Sequence, residues 1–368
     1  MRRLSFALLT GLLVGLVGWG AMDGQVEAPP ECSVTLSEQQ SIQAAIDDAR
    51  RGDVICLEPG TWEESVTIRQ TLTLRGMGSE RSTIRATQDE SGTTQPVVLV
   101  RGEATREVRL IALENLNLVG SRTDGIRVMG GRFGGRATVV ATDIRSADNA
   151  TGIKVIGENV HGIVQHSEIV NNANAGIAGL SGAQLEVVST EVRNNGAWGV
   201  QAAGDVSLTN TIVRDHDSAG ILATQNARLD MADSVIVHNG HTRGTFVRGG
   251  IVLGFNPQMA SFAAPASAQI ERSRIANNHR GILLGTETDL TLINATVQGN
   301  LNWGLAGIAD PCFSKFQLSD IPRLNGDISF EARNTIAGNN ASGELDGQGN
   351  PGEHPFHYLS DGQVCLPR

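Results

Sequence analysis

The sequence predicts an all-β fold in which the chain coils into a parallel β-helix, and two observations carry this prediction. A glycine followed by an aliphatic residue recurs along the chain, as in "DGIRVMG" (124–130) and "TGIKVIG" (151–157). Between these copies lies a second apolar run that ends in a polar pair. The chain of 368 residues also holds 44 glycines, whereas aromatic residues make up only 4%. Short strands joined by tight turns are typical of such a composition.

The polar pairs define the period of the repeat. Most steps between the second residues of successive pairs are 21 to 23 residues, two are 39, and these residues are Asn172, Asn195, His216, Asn239, Asn278, Asn300 and Asn339. A period near 22 predicts stacked coils in which each strand pairs in parallel with its equivalent about 4.8 Å away. We expect each ladder asparagine to adopt the left-handed conformation and to bond its neighbours through the side-chain amide. Leucine-rich repeats and β-propellers fit neither the pattern nor the period.

The residues before the repeat predict a cap for the N-terminal end of the stack. Ser41 is a suitable N-cap, and a short helix over about 41–51 would place Ile42, Ala45, Ile46 and Ala49 on one face. Such a helix covers the open core, which stacked repeats require for solubility. The predicted organisation is a signal peptide over 1–28, a cap over 29–52, a parallel β-helix over 53–340 and a C-terminal segment over 341–368.

The first residues are typical of a secretory signal peptide. Arg2 and Arg3 precede an apolar stretch from Leu4 to about Met22, and small residues follow it. An uncleaved membrane anchor is the alternative, because the apolar stretch approaches bilayer-spanning length. We expect cleavage, no stable membrane insertion afterwards, and a secreted, periplasmic or cell-surface location.

Four cysteines fit an oxidising compartment. Three pairings are open to them, and proximity favours Cys32–Cys56 near the start and Cys312–Cys365 near the end. The second bridge would tie the C-terminal segment to the loop over 310–326. The four residues are too dispersed for a zinc site.

The opening of the repeat region resembles a known superfamily. The Ile-Gln-Ala-Ala-Ile, Gly-Asp, Pro-Gly-Thr-Trp and Leu-Thr-Leu-Arg-Gly elements within 41–84 resemble the start of right-handed parallel β-helix proteins of the pectin-lyase-like superfamily. The repeats that follow resemble its carbohydrate-binding and sugar-hydrolysis modules, over roughly 41–340. The resemblance implies a right-handed, pectin-lyase-like solenoid and a polysaccharide as partner, while the fold alone does not specify an activity.

The catalytic motifs of the superfamily's known enzymes are absent from the sequence. Polygalacturonase-like and pectin-methylesterase-like elements find no match. The "DHD" run at 215–217 resembles the Asp-Pro-His-Asp run of alginate-epimerase-like enzymes in composition only, because it lacks the proline. Whether the protein is an enzyme is therefore left open, with a polysaccharide lyase or glycoside hydrolase-like activity as the class to test.

One turn of the ladder departs from asparagine and provides the candidate catalytic residues Asp215, His216, Asp217 and His238. His216 replaces a ladder asparagine, two carboxylates flank it, and His238 occupies the column of Asp215 one coil later. A histidine beside a carboxylate suits acid–base chemistry or a metal-ligand pair. The structural alternative is strong, because turns favour aspartate and a ladder tolerates polar substitutes.

Insertions and aromatic residues provide the candidate substrate-binding residues. Long insertions over 255–266 and 310–326 start at the same point of their coils and would flank a groove with Glu287 and Asp289 on its floor. Trp198 and Trp303 precede repeat glycines and could stack on sugar rings. Packing of the loops and rings is the alternative in both cases.

The formal net charge of −10 argues against nucleic acid as the main partner, because phosphate binding needs basic stripes. No cofactor is predicted, although calcium is a possible ligand. The protein is expected to be a monomer. The function that follows is an exported protein that binds, and modifies by lyase, hydrolase or epimerase chemistry, an extracellular or envelope polysaccharide. The alternative is a non-catalytic structural or adhesion protein of the surface or envelope.

Overall fold

The structure is a computed structural model. It describes residues 30–87, 94–102, 108–130, 135–241, 247–258, 261, 263–307 and 326–339, together with the backbone of 356–358 and 364–367. The chain divides into two units, Met1–Glu31 and Cys32–Arg368. The predicted signal segment 1–28, Cys312 and nearly all of the loop over 310–326 lie outside the described residues.

The described chain of the second unit coils through three long sheets, and from Val54 to Ala337 it visits them in the order sheet 1, sheet 2, sheet 3. Sheet 1 contains Val34–Leu36, Val54–Leu57, Leu72–Arg75, Val108–Glu114, Arg136–Thr142, Val160–Gln165, Gln184–Val188, Asp205–Thr209, Ala227–Ala232, Ala266–Glu271, Thr288–Ile293 and Ile328–Glu331. Sheet 2 contains Gly60–Glu63, Ser82–Arg85, Asn117–Val119, Arg145–Ala147, Glu168–Val170, Glu191–Arg193, Ile212–Arg214, Val235–Val237, Arg274–Ala276, Thr296–Gln298 and Thr335–Ala337. Sheet 3 contains Val66–Ile68, Val98–Arg101, Asp124–Met129, Thr151–Ile156, Ala175–Leu180, Trp198–Ala202, Ala219–Ala223, Gly249–Leu253, Ile282–Leu284, Leu305–Gly307, Val364–Pro367 and Phe356–Tyr358.

Strand pairing is parallel from coil to coil, which confirms the predicted parallel β-helix. In sheet 3, for example, Ile126 pairs with Ile153, which in turn pairs with Ile177. Within the described chain, the antiparallel strand pair is Phe356–Tyr358 with Val364–Pro367. Equivalent residues of successive coils therefore lie about 4.8 Å apart and form straight columns along the stack.

The core lies inside the coils and is built from aliphatic columns. Ile126, Ile153 and Ile177 all point inward and are buried. Burying each such side chain contributes roughly 1.5–3 kcal/mol, and the contribution is realised only when neighbouring coils cover it.

Two-residue turns join sheet 1 to sheet 2 in most coils, whereas most turns from sheet 2 to sheet 3 are longer, and both kinds use the left-handed backbone conformation. In the turn after sheet 2, the first residue of the polar pair is left-handed, as in Asn171 (φ 56°), Asn194 (φ 53°) and Asp215 (φ 61°). The ladder residue is the second of the pair. The expectation that one asparagine does both tasks is therefore wrong, because the turn divides them between two adjacent residues.

The N-terminal end carries the helix Ile42–Asp48, with Ser41 as its N-cap. The Ser41 hydroxyl accepts a hydrogen bond from the Ala44 N–H at 3.1 Å, and the Glu64 carboxylate accepts one from the Ile42 N–H at 2.8 Å. Ile42 and Ile46 are buried against the first coils. The predicted Cys32–Cys56 disulfide is present in this region, with a Cα–Cα distance of 5.7 Å. The Cys312–Cys365 bridge stays a prediction.

A second apolar cluster lies on the outer side of sheet 3, over its later coils. It contains Ala219, Leu222, Val247, Val252, Phe255, Leu283, Trp303 and Ala306. Over these coils the outward column of sheet 3 is aliphatic and buried. Over the earlier coils it mixes polar and apolar residues, which are Thr67, Leu99, Arg127, Lys154, Ala178 and Gln201. Among the described residues, no helix combines the length and the hydropathy that crossing a membrane would require.

Candidate functional site

The asparagine ladder in the turn after sheet 2 is the frame of the predicted catalytic residues. The N–H of a ladder residue donates to the side-chain acceptor of the next coil, as from Asn172 N to Asn195 Oδ1 at 2.9 Å. Each side-chain amide then donates to a carbonyl of the preceding coil, as from Asn195 Nδ2 to Ile169 O at 3.2 Å. The repeat glycine leaves room for this ladder, because a Cβ on Gly220 would lie 2.8 Å from Asn239 Nδ2.

His216 reproduces both hydrogen bonds of the asparagine that it replaces. Its Nδ1 accepts from the Asn195 N–H at 3.1 Å, and its Nε2 lies 3.1 Å from Val192 O, the carbonyl equivalent to Ile169 O. This pattern requires a neutral ring with the proton on Nε2. His216 is 2% exposed, and burial lowers its pKa to about 4. Both ring nitrogens are engaged, so the geometry favours the structural interpretation of this residue.

The structure brings Asp215 and His238 together in one column, as the sequence predicts, with Asp215 Oδ1 3.9 Å from His238 Nδ1. Asp215 also forms an ion pair with Arg214, which bonds Glu191 at 2.7 Å. This row of charges continues along the outer face of sheet 2, where it stabilises the stack. Asp217 is exposed in the same turn. A catalytic role for the four residues stays a prediction.

Glu287 and Asp289 are both exposed, at the beginning of a sheet 1 strand. Asp289 Oδ1 accepts a hydrogen bond from the Asp327 N–H at 2.9 Å. These two residues were predicted to form the floor of a groove. One wall of that groove is the insertion over 310–326, which lies almost wholly outside the described residues. Their role in substrate binding stays a prediction.

Trp198 and Trp303 occupy the same outward column of sheet 3, four coils apart. The intervening positions of this column include Ala219 and Gly249. Trp303 is 5% exposed and belongs to the second apolar cluster, against which the half-buried Trp198 also packs. The rings do not form an open platform for sugars, and packing accounts for the position of Trp303.

The open part of the sheet 3 face carries cations that sequence reasoning missed. Arg127 and Lys154 pair in adjacent coils and point outward. Arg101 is exposed in the neighbouring column, and Arg69 lies one residue beyond the paired Ile68. We call Arg69, Arg101, Arg127 and Lys154 the basic stripe. It crosses four consecutive coils, about 14 Å along the stack.

Asp124 fixes the geometry of the two central cations. Its side chain is 0% exposed, and it forms ion pairs with Arg127 and with Lys154, whose Nζ lies 2.9 Å from Asp124 Oδ1. The side chains of Arg127 and Lys154 remain 27% and 24% exposed. The trio has a net positive charge and leaves both cations accessible from solvent.

Apolar residues lie beside these cations on the same face. Met129 and Ile156 pair in adjacent coils, and Leu180 continues their column. All three are half-buried. The face therefore places Arg127 and Lys154 beside a column in which Arg101 is followed by aliphatic surface, which suits a ligand with charged groups and apolar ring faces.

A second cationic group lies farther along sheet 3. Burial, followed by the charges of Arg280, Arg248 and His241, lowers the pKa of His279 to about 3. Asn302 Nδ2 lies 3.3 Å from His279 Nε2, so the neutral ring accepts a hydrogen bond. Within the described ranges, no three His, Cys, Asp or Glu residues are grouped so as to hold a metal ion.

Comparison with known proteins agrees with this fold. A family model described as a right handed beta helix region matches residues 97–257. The periplasmic alginate epimerase AlgG aligns with a TM-score of 0.56 and 12% identity, over 92% of this chain and 83% of that one. A single-site mutant of the same epimerase aligns with a TM-score of 0.54 and 13% identity, over 84% and 79% of the two chains.

An alginate lyase from Paenibacillus sp. str. FPU-7 has a TM-score of 0.49 and 13% identity, over 82% of this chain and 99% of that one. No curated protein sequence matches this chain significantly. The family-model match and the two epimerase alignments show the fold alone, and the predicted right-handed parallel β-helix is confirmed.

Proposed function

From this right-handed parallel β-helix fold of the pectin-lyase-like superfamily, we propose that the protein is exported and binds an acidic polysaccharide on the basic stripe. The observation that carries the proposal is the alignment of Arg69, Arg101, Arg127 and Lys154 on one open face of a chain whose net charge is −10. Local cations of this kind are what a polyanion requires, whatever the total charge.

The spacing and chemistry of the stripe suit uronate units. Arginine binds a carboxylate through two parallel hydrogen bonds, and lysine adds a compact positive charge. Arg127 and Lys154 are held by Asp124, so their positions are fixed before a ligand arrives. The aliphatic row of Met129, Ile156 and Leu180 offers a surface for the apolar faces of sugar rings.

Two further observations support export and a polyuronate. The Cys32–Cys56 disulfide fits an oxidising compartment, and the AlgG epimerase that aligns with this chain is named as periplasmic. That epimerase acts on alginate, which supports an acidic polysaccharide as the ligand class. Calcium could add a bridge between carboxylates of the protein and the polymer, and titrations with and without calcium test this.

Modification of the lyase or epimerase type is the finer part of the proposal. Both reactions begin by removing the proton next to the uronate carboxylate, and this step requires that carboxylate to be neutralised. In this proposal the Arg127 guanidinium neutralises the uronate carboxylate, and the Lys154 ammonium in the next coil adds to this neutralisation. Hydrolysis has less support, because it uses two carboxyl groups and the acid described beside the stripe, Asp124, is bound to both cations.

The test is titration calorimetry of the full chain with polymannuronate, polyguluronate, polygalacturonate and neutral dextran, with and without calcium. Lys154→Met should weaken binding of the acidic polymers about tenfold, since a hydrogen bond to a charged group contributes about 1.5–3 kcal/mol. Arg228→Met is the matched control, because Arg228 is an exposed cation on sheet 1, paired with Asp230 at 3.0 Å. It should change affinity less than about twofold.

Equal losses of affinity for the acidic polymers in Lys154→Met and Arg228→Met would contradict the proposal. Equal affinity of the wild type for dextran and for the uronates would also contradict it. Turnover is followed in the same samples by absorbance of unsaturated products and by NMR of the sugar configuration. Binding without either signal would leave a binding protein and remove the enzymatic part.

A second candidate function is a non-catalytic structural or adhesion protein of the envelope. The observation that favours it is the intact ladder, because even the deviating residue His216 keeps both ladder hydrogen bonds. A rigid stack whose deviating ladder residue has both ring nitrogens engaged suits a spacer. Absence of binding to every glycan in the titrations would favour this candidate.

A further inference from the structure

We infer that a cavity at the N-terminal end of the basic stripe is a subsite for the terminal uronate of an acidic polysaccharide chain. The inference rests on the proposed function for the ligand class, and it adds that the protein recognises chain ends. The cavity has a volume of about 600 Å³. Pockets of roughly 300–1,000 Å³ are the size that binds small organic ligands.

The cavity lies between the helix Ile42–Asp48, the end of the first sheet 3 strand and the start of a sheet 1 strand. Gln43, Ile46 and Asp47 line it from the helix, and Thr67, Arg69, Gln70 and Arg109 line it from the coils. Three elements distant in sequence therefore meet at this point only in the folded stack.

The polar walls are held in place by hydrogen bonds between these elements. Gln43 Oε1 accepts from the Thr67 N–H at 2.7 Å, while Gln43 Nε2 donates to Asp47 Oδ1 at 2.9 Å. Gln70 Nε2 donates to the carbonyls of Ile46 and Ala49, at 2.9 and 2.8 Å. These bonds tie the helix to the first coil and make the cavity a preformed one.

The groups around the cavity match one acidic sugar. Arg69 and Arg109 supply positive charge for a carboxylate, Asp47 supplies an acceptor for sugar hydroxyls, and Ile46 supplies an apolar contact. Arg69 is exposed and forms no ion pair with a described residue.

The cavity lies in line with the basic stripe. Thr67 belongs to the same outward column as Arg127 and Lys154, through Leu99. Arg127 is two coils away, about 10 Å, and Lys154 is three coils away, about 14 Å. A sugar chain that follows the stripe toward the N-terminus meets the helix at the cavity. The site is therefore shaped for an end of the chain rather than for its interior.

The experiment compares uronate tetramers with free termini against tetramers that are reduced at one end or O-methylated at the other. Affinities are measured by calorimetry, with free hexuronate and long polymer as further ligands. We expect blocking of one terminus to weaken tetramer binding about tenfold. Arg109→Met removes a cation that lines the cavity but lies outside the basic stripe. It should weaken binding of unmodified tetramers about tenfold and change polymer binding less than twofold, because polymers have few ends. Arg228→Met serves as the control and should change neither.

Equal affinity of blocked and unblocked tetramers would overturn the inference, as would equal effects of Arg109→Met on tetramer and polymer binding. If polymer binding then still depends on Lys154, the proposed function stands although the terminal subsite does not. If no polymer binds, the proposed function fails. The titration with free hexuronate then tests by itself whether the cavity is a uronate subsite. Saturable hexuronate binding that Arg109→Met abolishes would retain the subsite, and its absence would remove it.

Discussion

His216 is a histidine that performs the task of an asparagine. Its Nδ1 takes the place of the amide oxygen and its Nε2 that of the amide nitrogen, so the ladder passes through it without a break. The same burial that makes this possible disfavours the charged ring, which lowers its pKa to about 4. At the scale of the residue, the feature that most resembles a catalytic group is therefore held as part of the scaffold.

This arrangement predicts a specific pH dependence. The folded pKa of His216 lies below the usual 6.5, so the unfolded chain binds the proton more readily between those values. Its contribution to stability is full above pH 6.5 and is lost as the pH falls toward 4, by on the order of 3 kcal/mol at most. His216→Asn should keep stability near pH 7 within about 1 kcal/mol and should flatten this part of the curve.

Urea unfolding of wild type and His216→Asn across pH 4–7 measures this difference. His279, whose pKa falls to about 3 for similar reasons, remains in both proteins and cancels in the comparison. Parallel curves would show that His216 is not buried as described. Full retention of any polysaccharide activity by the variant would also remove His216 from the candidate catalytic residues.

At the scale of the element, the turn after sheet 1 contains a second ladder that sequence reasoning missed. The Ser234 hydroxyl accepts a hydrogen bond from the buried Thr211 N–H at 3.1 Å and donates to Ala232 O at 2.8 Å. Ser167, Thr190 and Ser273 occupy equivalent positions. A hydroxyl two residues after each of five successive sheet 1 strands, from Val160–Gln165 to Ala266–Glu271, was the signal. It was hidden because serine and threonine are common in any turn.

Removing one hydroxyl of this ladder should be costly. In Ser234→Ala the buried Thr211 N–H loses its acceptor, which should destabilise the protein by about 1–3 kcal/mol. Ser207→Ala is the control, since Ser207 lies on the outer side of sheet 1 and should change stability by less than about 0.5 kcal/mol. Thermal unfolding monitored by circular dichroism compares the two, and equal shifts would contradict the role of the ladder.

At the scale of the whole molecule, each coil contacts chiefly its neighbours, so the ends of the stack decide where unfolding begins. The Cys32–Cys56 disulfide spans 24 residues of sequence beside the capping helix. Closing a loop of this size contributes about 3 kcal/mol. The bridge and the helix together protect the first coils, which also carry the cavity and part of the basic stripe.

Replacing Cys32 and Cys56 by alanine should therefore weaken the N-terminal end first. We expect faster amide hydrogen exchange in the strands Val54–Leu57 and Leu72–Arg75. Exchange in the later coils, such as Ala219–Ala223, should stay close to wild type. Uniform acceleration along the chain would show that the stack unfolds as a single cooperative unit.

The fold was predictable from the sequence to a larger extent than the candidate site. Columns of Asn172, Asn195 and Asn239 could be read from the period, because each coil repeats the same hydrogen bonds. The four cations of the basic stripe could not all be aligned in this way. Arg127 and Lys154 follow repeat glycines, but Arg69 and Arg101 lie in early coils whose lengths depart from 22 residues.

The sequence by itself determined the parallel stack, the position of the capping helix and the Cys32–Cys56 pair, because these depend on local pattern and on repetition. The tertiary structure decided which side chains share a face. A column joins residues about 30 positions apart, such as Thr67 and Leu99 or Leu99 and Arg127, and their register depends on strand pairing between coils. For this reason the ladder turn attracted attention in the sequence, whereas the basic stripe and its terminal cavity appear only in the folded stack.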